Sequence, residues 1–263
     1  MILLNRMSKG FPTISHEEQT RITTVVVRVA VMLLEYGAES RLIEQLSSRL
    51  GVALGCTSIE ISLIPSAIVL TTLVGDSSVT TTRRAHEQPI NMSIVHQIVT
   101  ICISAEQTPR NIMMVERALG NIHANPYPAW LIVPIIGLSC AAFSQLQGAD
   151  WLGFWITFLA ASVGMMVRRA LSSRNYSLLI VFAFTAFVCT LIASLSFYHG
   201  LSSTGRIVLS SSVLLLVPGF PYINAMLDAF KGYISMGWGR WTQATLVTLM
   251  SSLGIMLAMG FWT

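Results

Sequence analysis

Apolar residues fill most positions of "TRITTVVVRVAVMLL", residues 20–34, but Arg28 interrupts them. The uninterrupted stretch falls far short of the ~20 residues that a membrane span needs. Length and pattern predict a buried soluble helix, with Gly37 as its stop. "ESRLIEQLSSRLG" then puts Leu42, Ile43, Leu46 and Leu50 on one stripe, predicting a second, amphipathic helix that ends at Gly51. From Thr57 the period falls to two, Ile59, Ile61 and Leu63 alternating with Ser58, Glu60 and Ser62. After Pro65 the run "AIVLTTLV" leads into the turn Gly75-Asp76, from which "SSVTTTRR" returns. These runs predict a small antiparallel sheet of about three strands. "NMSIVHQIVTICISAEQ" and "PRNIMMVERALGNI" restore two helices, so residues 1–125 are expected to form an α+β domain.

Beyond it the pattern changes. "NPYPAW" combines two prolines with an aromatic pair suited to a membrane interface and marks the boundary. Five apolar segments follow, at 130–146, 151–167, 176–198, 207–230 and 241–262, and predict a five-span α-helical transmembrane domain over residues 126–263. Arg168, Arg169 and Arg174 fall between the second and third segments, and Lys231 and Arg240 between the fourth and fifth. The loop "GAD" holds no basic residue and "HGLSSTGR" one. Positive charge collects on the cytoplasmic side, so the N-terminal domain is expected in the cytoplasm and the C-terminus across the membrane. The apolar run in "MILLNRMSKG" is too short for a signal peptide.

Composition agrees with this division. Of 263 residues, 53% are hydrophobic and 11% charged, against about 25% charged in a soluble domain. Residues 1–129 carry ten basic and ten acidic side chains, leaving six basic residues and two acids, Asp150 and Asp228, for the remainder. The net charge of +4 therefore belongs to the membrane half, which argues against a nucleic-acid footprint. The four cysteines form no CxxC and the five histidines no HxxxH or HExxH, so neither disulfide framework nor metal site is signalled and no cofactor is expected. Without GxSxG, Walker loop or GxGxxG, a membrane-tethered hydrolase finds no nucleophile and base at useful spacing, and the chain is not expected to be an enzyme. Arg21, Arg28 and Glu35 recur every seven residues and read as a solvated stripe.

The fourth segment carries the candidate chemistry. In "LLLVPGFPYINAMLDAFKG", Pro218 and Pro221 each remove a backbone donor and Gly219 loosens the chain between them. The helix is expected to stop or kink near Val217 and restart around Tyr222. Irregular backbone at membrane depth lines protein or a wet cavity, and broken helices mark transport sites. The start of the second half-helix offers a positive dipole end for a carboxylate. Asn224, Asp228 and Lys231 share one face of it. An acid at the bilayer centre costs about 2.5–3.5 kcal/mol, so Asp228 is expected to exchange a proton or to balance Lys231. At a cytoplasmic interface it would simply pair with that lysine.

"LLEYGAESRLIEQLSSRLG", "SAIVLTT", "INMSIVHQI", "PYPAWLIVPIIGLSCAAF" and "SSVLLLVPGFPYINAMLDAFKGYISMGWGRW" together resemble the threonine/serine exporter family, in its YjjP-like branch, over nearly the whole chain. The resemblance implies an inner-membrane export subunit, the larger half of a two-component system whose partner is a smaller multi-spanning membrane protein and which is linked to succinate efflux. The broader family exports threonine and serine through a fused chain, whose extra spans this sequence lacks. By position, Pro218, Gly219, Pro221, Asn224 and Asp228 match the family's membrane motif, and Gly37, Glu39, Arg41 and Glu44 its first cytoplasmic motif. A small carboxylate, an amino acid and a scaffold role remain open, and homo-oligomers are possible.

Overall fold

The computed structural model describes residues 14–86, 88–123 and 127–261. The N-terminal run and part of "NPYPAW", read above as no signal peptide and as the domain boundary, lie outside the described residues, as does Trp262. The chain divides into two compact units, one of Met1–Ala124 with Asn224–Gly239 and one of Asn125–Ile223 with Arg240–Thr263.

In the first unit, helix α1 (His16–Glu35) starts on the Ser15 hydroxyl, which accepts from the Glu18 amide at 3.1 Å. Its Ile22, Val26, Val29, Ala30 and Leu33 are completely buried, as expected of a core helix. Gly37, at φ 92°, ends it: the Gly37 amide bonds the Leu34 carbonyl and the Ala38 amide the Leu33 carbonyl. A residue with a Cβ would be strained in that left-handed turn. Helix α2 (Ser40–Leu54) runs one turn past the expected stop. Gly51 is a packing residue inside it, since a Cβ there would meet the Ile59 side chain at 2.3 Å, and the left-handed Gly55 closes the helix instead.

Strands β1 (Ser58–Ile64), β2 (Ala67–Val74) and β3 (Ser77–Arg84) form an antiparallel sheet in that order. Ile59, Ile61 and Leu63 of β1 lie opposite Thr72, Leu70 and Ile68 of β2. Ile68, Leu70 and Thr72 are buried, so the period-two reading assigned the inner face correctly. A polar knot joins α1 to the sheet: Gln19 Nε2 donates to the Thr72 carbonyl at 3.0 Å, and the Thr23 and Thr72 hydroxyls lie 2.7 Å apart. Helices α3 (Met92–Gln107) and α4 (Ile112–Gly120) complete the core with Ile94, Ile98, Cys102, Val115 and Leu119. Burial pushes the Cys56 thiol up to about 11 and the Cys102 thiol to about 12, as befits small apolar core residues. The α1 stripe is not wholly solvated, because Arg21 pairs with Glu116 at 2.5 Å and Glu35 accepts the His86 amide at 2.8 Å.

The second unit holds α5 (Ala129–Leu146), α6 (Trp151–Ser172), α7 (Leu178–Tyr198), α8 (Gly205–Ser212) and a 3-10 turn at Leu214–Leu216. Two further helices, α9 (Gly219–Phe230) and α10 (Ile234–Gly260), each contribute part of their length to both units. Helices α5, α6, α7 and α10 are long and apolar enough to cross a membrane, and the bent pair Gly205–Leu216 and Gly219–Phe230 makes a fifth candidate span. Two limits differ from the sequence reading by more than two residues. Helix α6 continues five residues past Val167, so Arg168 and Arg169 are helical, and α10 begins at Ile234 rather than Trp241. Small and hydroxylated residues fill the interior, the hydroxyls mostly satisfied by their own helix: Thr157 donates to the Gly153 carbonyl at 2.8 Å and Thr185 to that of Val181 at 2.7 Å.

Asp150 fastens two loops of this unit. Its carboxylate caps α6 through the Gly153 amide at 2.8 Å and accepts from the Ser202 hydroxyl at 2.6 Å, the Ser203 amide at 3.1 Å and the Thr204 hydroxyl at 3.1 Å. These donors, Ser202 first, hold its carboxyl down at about 2.

Candidate functional site

The break in the fourth apolar segment is real but tighter than the prolines suggested. Helix α8 narrows into the 3-10 turn, where the Leu216 and Val217 amides bond the Val213 and Leu214 carbonyls at 3.0 and 3.1 Å. The chain then bends by 59° and restarts at Gly219, three residues before the expected Tyr222. Pro221 therefore sits in the first turn of α9, where its missing amide proton interrupts no ladder, and Pro218 stands at the break. Pro218, Gly219 and Pro221 belong to the second unit.

Asn224, Asp228 and Lys231 belong to the first unit, where they meet the other group of candidate residues. The Asn224 amide donates to the Gly37 carbonyl at 3.1 Å. Asp228, completely buried, accepts the Ser40 backbone amide on Oδ1 at 3.0 Å. Lys231 makes an ion pair with Glu39. The Tyr233 hydroxyl donates to Glu44, and burial, followed by that carboxylate, pushes the tyrosine up to about 12. Arg41 is exposed and enters no ion pair among the described residues.

The local physics of both elements explains the fit. Helix α2 has Glu39 at its N-cap but no side-chain cap of its own. Its first amide is one of the orphan donors every helix start presents, and Asp228 supplies the acceptor from 188 residues away. A carboxylate at that end also meets the positive pole of the helix. Glu39 pairs with Lys231, and Asp228 holds the Ser40 amide. Helix α9 then ends in a left-handed turn at Gly232, φ 93°, with the Tyr233 amide bonding the Asp228 carbonyl at 2.8 Å. That turn delivers Tyr233 to Glu44. Just beyond, Gly237 lets α10 close on α9, since a Cβ there would lie 2.7 Å from the Ala225 carbonyl. A cleft of about 230 Å³ lies beside this contact, between Ile61, Ser62 and Leu63 of β1 and the segment from Gly232 to Met236.

Sequence reasoning named Gly37, Glu39, Arg41 and Glu44 as one group and Asn224, Asp228 and Lys231 as another, and did not connect the two. It missed Ser40, whose contribution is a main-chain amide, and Tyr233. Tyr233 did carry a signal: a glycine directly after the acid-bearing helix marks a stop that fixes the next residue. The arrangement is a buried carboxylate holding a helix start, flanked by an amide–carbonyl bond, a partly covered ion pair and a tyrosine–carboxylate hydrogen bond. Among the described residues no group of three or more His, Cys, Asp or Glu could hold a metal ion.

Comparison with known proteins finds relatives over most of the chain. A family model described as "Putative threonine/serine exporter" matches residues 24–262. A protein of Klebsiella aerogenes named "Probable succinate transporter subunit YjjP" is 43% identical over 246 residues, 93% of this chain and 95% of its own length. Its namesake in Escherichia coli K12 is 42% identical over 247 residues, covering 94% and 96%. An uncharacterized Haemophilus influenzae protein is 38% identical over 164 residues, 62% of this chain and 55% of its own. No solved structure matches the chain.

Proposed function

Because the chain belongs to the threonine/serine exporter family, we propose that it is one subunit of a secondary exporter of small carboxylates, with succinate as the leading substrate. The relatives' names support transport rather than catalysis, and the word "subunit" in them supports a partner component. On this reading the partner is a smaller multi-spanning protein of the same bacterial inner membrane. Residues 1–125 lie in the cytoplasm, residues 126–263 form the membrane domain, and the C-terminus is periplasmic.

One observation carries the reading. The bent pair places an interruption at Pro218 and Gly219 within an otherwise apolar segment, and the half-helix that follows brings Asn224, Asp228 and Lys231 to Gly37, Ser40 and Glu39. A helix interrupted among spanning helices is where transporters bind solutes, because its freed peptide groups and dipole ends replace the water a carboxylate gives up. Asp228 then serves as a gate fastening or a proton acceptor, its carboxylate leaving the Ser40 amide when protonated.

Vesicles containing this chain and its partner, loaded with radiolabelled succinate and assayed with and without a pH gradient, test the proposal. Flux that requires both proteins and falls at least tenfold with Asp228→Asn supports it. Flux of threonine or serine in place of succinate would favour the amino-acid reading, for which the family description is the motive. Undiminished flux through the partner alone would reduce this chain to a scaffold.

A further inference from the structure

Resting on the exporter reading, we propose that Arg168 is the counter-charge for the transported carboxylate, in a cavity beside the broken segment. Arg168 lies in α6, and its guanidinium donates to the Leu215 carbonyl at 3.3 Å, in the 3-10 turn that precedes the break. The same group sits 4.6 Å above the Phe182 ring, which holds the guanidinium plane in place. Those contacts use one of its five donors. Arg168 also lines an open, almost wholly apolar cavity of about 290 Å³ whose other walls include Ile136, Cys140, Phe143, Met165 and Leu214.

Charge accounting within the unit leaves this cation without a carboxylate. Asp150 is its one acid, and that carboxylate is taken up by Gly153, Ser202, Ser203 and Thr204. Among the described residues Arg168 has no ion-pair partner. A cation walled by hydrocarbon raises the affinity of any oxyanion that reaches it, because neither group is screened by water. A guanidinium matches a carboxylate in two parallel hydrogen bonds where an ammonium offers a point charge. The cavity stands at the small end of the ~300–1,000 Å³ of ligand pockets, which suits a molecule of few heavy atoms. The chemistry selects a small mono- or dicarboxylate, and its position against Leu214 and Leu215 puts the bound anion at the edge of the bend.

The test uses the full chain in phosphatidylcholine nanodiscs and radiolabelled succinate, with efflux from cells co-producing the partner measured in parallel. Saturable binding by the wild type, weakened at least tenfold by Arg168→Gln, unchanged by Arg206→Gln, and absent for uncharged succinamide, is expected. Succinate should also slow phenylglyoxal modification of Arg168 in the wild type, which decides the matter should the glutamine variant fold poorly. Efflux and binding that persist in Arg168→Gln, or a modification rate indifferent to succinate, overturn the role of Arg168 and leave the exporter reading standing. Wild-type protein that neither binds nor exports succinate sinks both. If native mass spectrometry finds phosphatidylglycerol retained by the wild type and lost from Arg168→Gln, with succinate binding equal in the two, the site belongs to a lipid phosphate and the proposal fails.

Discussion

Truncating Asp228 to alanine should free the first turn of α2, and the size of the effect follows from the contacts. The variant loses a hydrogen bond between a carboxylate and a buried main-chain amide, worth about 1.5–3 kcal/mol. It also loses a negative charge at a helix N-terminus, worth about 0.3–1 kcal/mol. Burying a carboxylate is itself costly, so relief of that cost offsets part of the loss in a melting temperature. The Ser40 amide registers the missing acceptor alone. Local opening that becomes easier by about 2–4 kcal/mol raises its hydrogen exchange by about 30-fold or more. Asparagine keeps an oxygen acceptor without the charge, and neutral hydrogen bonds are about half as strong, so Asp228→Asn should give a smaller rise of about tenfold. The assay is hydrogen–deuterium exchange with mass spectrometry on the full chain in nanodiscs, following peptides over residues 38–46. Equal protection of those peptides in wild type and Asp228→Ala would refute the capping argument.

Three other outcomes follow. Reversing one charge in Lys231→Glu should destabilise the chain, and the double exchange with Glu39→Lys should restore about 0.5–1 kcal/mol as a coupling energy in a thermal-melt cycle, the range for a partly covered pair. Gly254→Ala puts a Cβ 2.1 Å from the Ala183 carbonyl, where backbone must move, so it should cost about 1–3 kcal/mol and show as a lowered melting point in detergent. Because the Asp150 carboxyl is held at about 2 against an ordinary 3.8, its stabilising contribution is complete above pH 4 and lost as pH falls through 2. Melting points recorded over that window should decline in the wild type and lose that component in Asp150→Asn; identical profiles would show that the Ser202–Thr204 fastening contributes nothing.

Much of the first unit was legible because its period is unambiguous. Ile59, Ile61 and Leu63 alternate cleanly, and Gly75 marks a turn that only one strand pairing satisfies. The end of α2 was misread because a glycine that stops a helix and one that admits a neighbouring side chain look alike in sequence; only the Ile59 contact at Gly51 separates them. Arg168 was read as a loop residue because hydropathy falls at the first charge, whereas the helix continues as long as that charge finds a carbonyl and a ring. The meeting of Asp228 with Ser40 was invisible for a different reason. Every residue but proline carries a backbone amide, so nothing in the sequence singles out the one that will lack an acceptor. What the pattern did supply was the pair of polar groups on otherwise apolar surroundings, and the fold supplied their encounter.

Asp228 stands in two ladders at once. Its carbonyl secures the closing turn of α9 through Tyr233 while its side chain secures the opening turn of α2 through Ser40. The two helices thus share a single fastener: unravel the final turn of one and the carboxylate swings away from the other. A solute, a companion subunit or a proton that disturbs residues 228–233 would be felt at residue 40 in the same event, with no relay through the sheet.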